Sequence, residues 1–251
     1  MAIALRSRSD IEKLRRASKI AREVLERVAE AVRPGVTTRE LDALAEAECR
    51  KLGAIPSFKG LYGFPASLCT SVDEIIIHGI PNDQPLREGE IVGLDFGTNV
   101  DGWYGDCAIT VGVGSVSQED QALMRASEET LAYAIEIIHE NMRFKELTAN
   151  IENFIKARGY VPLRNYCGHG IGRKPHEEPS IPNYLEGKPN QGPKIKNGMV
   201  FCLEPMICQR NGDAKVLDDG WSVRTGDGLK GSHHEHTVAI IDGKAEILSL
   251  I

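Results

Sequence analysis

Residues 94–110 read LDFGTNVDGWYGDCAIT, and the fold turns on this stretch. Asp101-Gly102 is a two-residue hairpin signal, because both central positions of the favoured turn need positive φ and this pair tolerates it. With the turn placed there, Val100 faces Trp103 and, counting outward, Asp95 faces Ala108. Asp106 stands two residues from Ala108 on the same strand and so points the same way. Asp95 and Asp106 are then diagonal neighbours on one face, ~7–8 Å apart at Cα with side chains able to converge. Both flanks are apolar, with Ile91, Val92 and Leu94 before and Ala108, Ile109 and Val111 after. Two carboxylates converging in such surroundings repel one another and are poorly solvated. A shared proton, a basic side chain or a metal ion would relieve them, and hard carboxylate oxygens suit metal ions well. The competing reading puts the aspartates on a solvated face or at a turn cap, which is common beside Asp-Gly.

Working outward, Ser9 with Glu12 forms a capping box. Ile11, Leu14, Ile20, Val24, Leu25 and Val28 then recur at helical spacing until Pro34-Gly35. Thr37 with Glu40 opens a second helix through Leu41, Leu44, Ala45, Cys49 and Leu52, with Gly53 as its stop. Residues 54–72 read as a loop, and Ile75-Ile76-Ile77 within 74–78 as a buried strand. Downstream, helices are expected over about 117–142 and 145–158, and strands over 200–203, 238–241 and 245–250. This order fits an α+β protein of two similar halves, about 1–125 and 126–251, around a shared sheet.

The chain has 251 residues and a formal net charge of -6, with 26% charged and 41% hydrophobic residues. That is ordinary globular composition with enough length for a sizeable core. The balance carries no basic footprint, which argues against nucleic acid as a specific partner. The apolar stretch from Ala2 to Leu5 is too short for a signal-peptide core, and no long apolar run follows, so a cytoplasmic protein with no membrane partner is expected. The six cysteines contain no CxxC pair, which argues for free thiols and against a zinc ribbon.

The second half supplies further candidates. His169 sits among glycines in CGHGIG, where backbone and ligand can approach closely. Glu204 lies in the apolar run FCLEP, and a buried Glu needs a partner, whether a metal or a nearby Lys or Arg. In SHHEHT, Glu235 and Thr237 share one side of an extended run and His234 and His236 the other, while His233 is expected at a solvated edge. Four carboxylates balance the charge of two dications, and an oxygen-rich set with one imidazole favours Mn, Fe, Co or Zn.

The ordered set of Asp in DFG, Asp in YGD, His in CGHGIG, Glu in LEP and Glu in HHEHT resembles the methionine aminopeptidases, over nearly the whole chain from about Ser9. The stretch 65–81, PASLCTSVDEIIIHGIP, adds to the likeness. The resemblance implies the pita-bread fold, two pseudo-symmetric halves around a curved antiparallel sheet in a single catalytic domain spanning 1–251. It implies two divalent ions held by Asp95, Asp106, His169, Glu204 and Glu235. It implies removal of N-terminal methionine by metal-assisted hydrolysis, with Glu204 moving the proton, His176 facing the developing oxyanion and His78 holding the scissile amide or aiding the leaving group. The methionine pocket would be lined by Phe64, Cys69 and Trp221, beside His78 and His176. Leu61, Pro175 and Phe58 stand where many relatives carry Tyr, Phe and Cys; all are apolar, so a thioether pocket survives while its shape changes. The implied partners are the N-termini of nascent polypeptides, met at the ribosome, and the chain is expected to act as a monomer. His169 and Glu204 are 35 positions apart, too close for the insertion of type II enzymes, and no Cys/His-rich extension precedes Ser9, so a bacterial type I domain is implied. The rivals are a prolidase or aminopeptidase P, which usually carries a further N-terminal domain, a non-catalytic binding protein of the same fold, and an accidental acidic cluster.

Overall fold

The computed structural model describes residues 2–251. Helices α1 (Arg8–Ala31) and α2 (Thr38–Lys51) open the chain. Short strands β1 (Ile55–Pro56), β2 (Cys69–Val72) and β3 (Ile75–Ile77) precede the hairpin of β4 (Ile91–Val100) and β5 (Trp103–Gly112). Helices α3 (Gln118–Ile137) and α4 (Phe144–Ala157) lead to β6 (Val161–Pro162), β7 (Cys167–Gly170) and β8 (Glu177–Pro182). The chain then runs through β9 (Val200–Leu203), β10 (Met206–Cys208), β11 (Ala214–Val216) and β12 (Val223–Thr225). It finishes with β13 (Gly231–His233), β14 (Glu235–Ile241) and β15 (Lys244–Ile247). The main sheet has nine strands in the order β1-β4-β5-β14-β9-β7-β8, with β2 on β4 and β15 on β14. Two three-stranded sheets, β13-β10-β6 and β11-β12-β3, complete the molecule.

The hairpin forms with the register counted from the sequence. Asp101 and Gly102 take φ of 53° and 78°, and Val100 faces Trp103 while Asp95 faces Ala108. Helix α1 starts earlier than Ser9. Ser7 is its cap, accepting from the Asp10 N–H, and the Asp10 carboxylate reaches back to the Ser7 N–H. Ser7 and Ser9 both offer a hydroxyl three residues before an acid; capping at Ser7 brings Arg8 and Ser9 into the first turn. The 54–72 loop contains two short strands, because β1 and β2 each add to β4. Helix α3 stops at Ile137, short of residue 142, where the chain turns through Asn141 at φ 73°.

The apolar stripe of α1, including Leu25, Val24 and Val28, packs with Leu41 of α2 against Val92, Leu94 and Phe96. Gly105 makes this fit possible, since a Cβ there would lie 2.3 Å from the Ser18 nitrogen. In the later half, Leu123, Ala126, Leu147 and Ile151 of α3 and α4 cover Phe201, Leu203, Val238 and Ile240. Residues that alternate with these helix-facing positions therefore point to the opposite face of the main sheet. Asp106 follows Gly105, Cys202 lies between Phe201 and Leu203, and Thr237 precedes Val238, so all three project there. Among the described residues, no helix is long and apolar enough to cross a membrane.

Candidate metal centre

Register gathers the acidic residues on that open face. Cys69, Asp95, Ala108 and Glu235 face one another in turn across β2, β4, β5 and β14. In the adjacent row Gly97 faces Asp106 and Thr237 faces Cys202. The Thr237 hydroxyl donates to the Asp106 carbonyl at 2.7 Å and ties β14 to β5 within this row. Between Asp95 and Glu235 stands only the methyl of Ala108, which leaves room above it. His169 comes from β7, and Glu204 stands at the corner just after β9. One donor atom each from Asp106, His169, Cys202 and Glu235 lie within 4.8 Å of one another. Glu204 places Oε1 3.5 Å from His169 Nε2 and Oε2 3.7 Å from His233 Nε2.

All five residues expected to hold metal line one cavity of about 520 Å³, together with His78, His176, Phe64, Cys69 and Trp221. His78 sits at the end of β3 with φ 57°, an uncommon conformation for a residue with a side chain. Gly79 beside it is pressed onto β2, where a Cβ would lie 2.1 Å from the Thr70 carbonyl oxygen. This pinning aims the imidazole into the cavity, edge-on to Tyr166 and Trp221. His176 stands at the exposed mouth, its ring 4.4 Å from that of His169 and stacked on Tyr62. Next to Asp95, the side chains of Phe58, Phe64, Ala66 and Cys69 form an apolar cluster with Leu61, Ile80 and Trp221. Helix α2 holds this loop. Asp42 Oδ1 accepts from the backbone N–H of Ser67 and of Leu68, both at 2.8 Å. Glu46 pairs with Lys59 at 2.9 Å and accepts from the Ser67 hydroxyl at 2.9 Å.

His233 differs from its expected solvated edge. It is 3% exposed, because β13 pairs with β10 and draws it beneath Glu204. The alternation that joins Glu235 to Thr237 carries a signal for His233 as well, since it lies two residues before Glu235. Cys202 was likewise legible in principle, two residues before Glu204, yet a thiol in an apolar run reads as core. His234 turns away and hydrogen-bonds Ser127 at 2.6 Å through Nδ1, and His236 bonds Ser249 at 2.9 Å.

The site as built from protein alone is electrostatically incomplete. Burial raises the Asp95 carboxyl to about 7. Burial and then neighbouring carboxylates push Asp106, Glu204 and Glu235 well above the usual range. Burial lowers His169 to about 3 and, with His176 adding to it, His78 to about 4, so both imidazoles are neutral and free to act as ligand or hydrogen-bond partner. Among the described residues, the only cationic-type partners of Glu204 are imidazoles, not the Lys or Arg that the competing reading requires. Asp95 Oδ1, Asp106 Oδ1 and Glu235 Oε1 are buried with no hydrogen-bond partner. Three orphaned carboxylate oxygens converging beside a neutral imidazole fit the binding of hard or borderline divalent cations.

The model for metallopeptidase family M24 matches residues 12–242. A methionine aminopeptidase of Helicobacter pylori is 54% identical over 251 residues, covering 99% of each chain. The chain belongs to family M24 and, within it, to the methionine aminopeptidases. A Clostridium perfringens methionine aminopeptidase is 46% identical over 249 residues, covering 99% of both chains. The crystal structure of the Rickettsia prowazekii methionine aminopeptidase superposes with a TM-score of 0.96 at 36% identity, covering 99% of this chain and 100% of that one. The pita-bread α+β architecture expected from the resemblance is thus the observed one. Membership makes the chain a metal-dependent aminopeptidase, a hydrolase.

Proposed function

We propose that this methionine aminopeptidase removes the N-terminal methionine of newly made polypeptides at the centre formed by Asp95, Asp106, His169, Glu204 and Glu235, holding two divalent ions. The orphaned, buried oxygens of Asp95, Asp106 and Glu235 carry this reading. Four carboxylates offset two dications, and the oxygen-rich set with one imidazole accommodates Co, Mn, Fe or Zn. When bound, such ions supply Lewis-acid polarisation of the first carbonyl and acidify water.

The chain's own residues do the rest. Glu204, whose carboxyl burial and neighbouring carboxylates hold well above the usual range until cations offset its charge, would act as the carboxylate that takes a proton from water and delivers it to the departing amine. Neutral His78 hydrogen-bonds the scissile amide, and His176 at the mouth faces the oxygen on which charge develops. The apolar cluster of Phe58, Phe64, Cys69 and Trp221 receives the thioether and excludes water. Residues from both halves meet here, so the whole chain acts as one catalytic domain.

The test is a peptide panel on protein stripped with chelator and reloaded with Mn²⁺ or Co²⁺, with metal content measured. Met-Gly-X peptides are expected to be cleaved after methionine, with two ions per chain. Preference for X-Pro substrates would assign a prolidase-type activity instead, and full metal loading without cleavage would leave a binding protein.

A further inference from the structure

Glu204 is bracketed by two imidazoles, and they are not equivalent. His169 Nδ1 lies 3.1 Å from the Gly170 carbonyl oxygen, a contact that requires the proton on Nδ1. Its Nε2, 3.5 Å from Glu204 Oε1, therefore carries a lone pair and has no hydrogen to give a carboxylate. On the other side, His233 Nε2 is fully buried, has no hydrogen-bond partner, and points at Glu204 Oε2 from 3.7 Å. The backbone behind it is fixed twice by Thr110, whose hydroxyl accepts from the His233 N–H at 2.9 Å and donates to its carbonyl at 2.8 Å. Met206 of β10, two residues past Glu204, is the strand partner of His233. The imidazole and the carboxyl are thus delivered to the same point by paired strands.

We propose that His233 is a positioning residue that donates Nε2–H to Glu204 Oε2 and holds that carboxyl in the orientation from which it moves the proton. This rests on the role of Glu204 given above. A slight rotation of the Glu204 side chain closes the gap, and the bond satisfies the buried His233 Nε2 while giving the half-buried Glu204 carboxyl a donor. His233 touches neither the substrate amide nor the reacting carbonyl; it acts only through Glu204.

The experiment compares His233→Leu and His233→Gln as metal-loaded enzymes on a Met-Gly peptide, with metal content and calorimetric metal affinity measured on each. His233→Leu is expected to lose ~10- to 100-fold in kcat with KM and metal stoichiometry unchanged, the pattern of a lost transition-state contribution. His233→Gln, which keeps a donor, is expected to recover most of that loss. Wild-type kcat in His233→Leu overturns the proposal. So does a glutamine variant no better than leucine with both melting early, which marks a packing role. A readout on the unmutated holoenzyme stands beside these: ¹⁵N-histidine spectra should show His233 as the Nε2–H tautomer, and an Nδ1–H tautomer overturns it. Glu204→Gln separates the two readings. Full turnover in that variant removes the role of Glu204 itself, whereas a dead Glu204→Gln beside a fully active His233→Leu removes only the inference about His233.

Discussion

His78 shows what a single residue costs and gives. Its backbone is held at φ 57° by Gly79, which has no room for a side chain against Thr70. Burial and the nearby His176 keep its imidazole neutral, near a pKa of about 4, so it can hydrogen-bond an amide without adding charge beside the acidic rows. His78→Ala is expected to lower kcat by about 10²- to 10³-fold, the range for removing one preorganised hydrogen-bonding group. Metal content is expected to stay at the wild-type level, and loss of metal in this variant would show that its role has been misassigned. Its place in the cavity could be anticipated only through the family likeness, since IIIHGIP taken alone reads equally as an ordinary loop histidine.

At the scale of elements, helix α2 positions the pocket by polar grip. Glu46 binds Lys59, Arg50 and Ser67 together, and Lys59, Arg50 and then Ser67 pull its carboxyl down from 4.5 to about 2. A depressed folded pKa means that the contribution to stability is whole above about 4.5 and drains away as pH falls toward about 2. Glu46→Gln is therefore expected to melt below wild type at pH 7, with the two curves converging as the pH is lowered to 2. A constant difference across that range would refute the ion-pair account. How much was legible follows the range of the contacts. The β4–β5 register could be counted because a two-residue turn fixes every pair after it. The cap of α1 slipped by two residues because Ser7 and Ser9 offer the same local chemistry. Strands β10 and β13 escaped the reading, because three-residue segments whose partners lie far along the chain, such as Ile207 and Ser232, carry no period of their own. His233 was misplaced for that reason.

Across the molecule, the acidic rows link the early hairpin to the late strands, so a cation held by them would bind only when both are assembled. Binding to the folded state alone stabilises by ~2.7 kcal/mol at 100 times Kd, which for a chain of this size raises Tm by about 5–10 °C. Mn²⁺ or Co²⁺ is expected to produce that shift and chelator to reverse it. Asp106→Asn should keep the fold and lose both the shift and turnover; calorimetry showing no metal response in the wild type would refute the centre. The corner at Glu204 and Pro205 has a mechanical corollary. Leu203 ends in the main sheet and Met206 begins in a small one, while His233 and Glu235 make the same crossing in reverse around His234. The His234 N–H donates to the Pro205 carbonyl at 3.5 Å and clasps the two crossings together. Glu204 and His233 are passengers of one carriage, whereas Asp95 and Asp106 belong to the track of the main sheet. The Glu204–His233 spacing is thus set by this one clasped corner, whereas the span from Glu204 to Asp95 and Asp106 is set by how the two sheets pack.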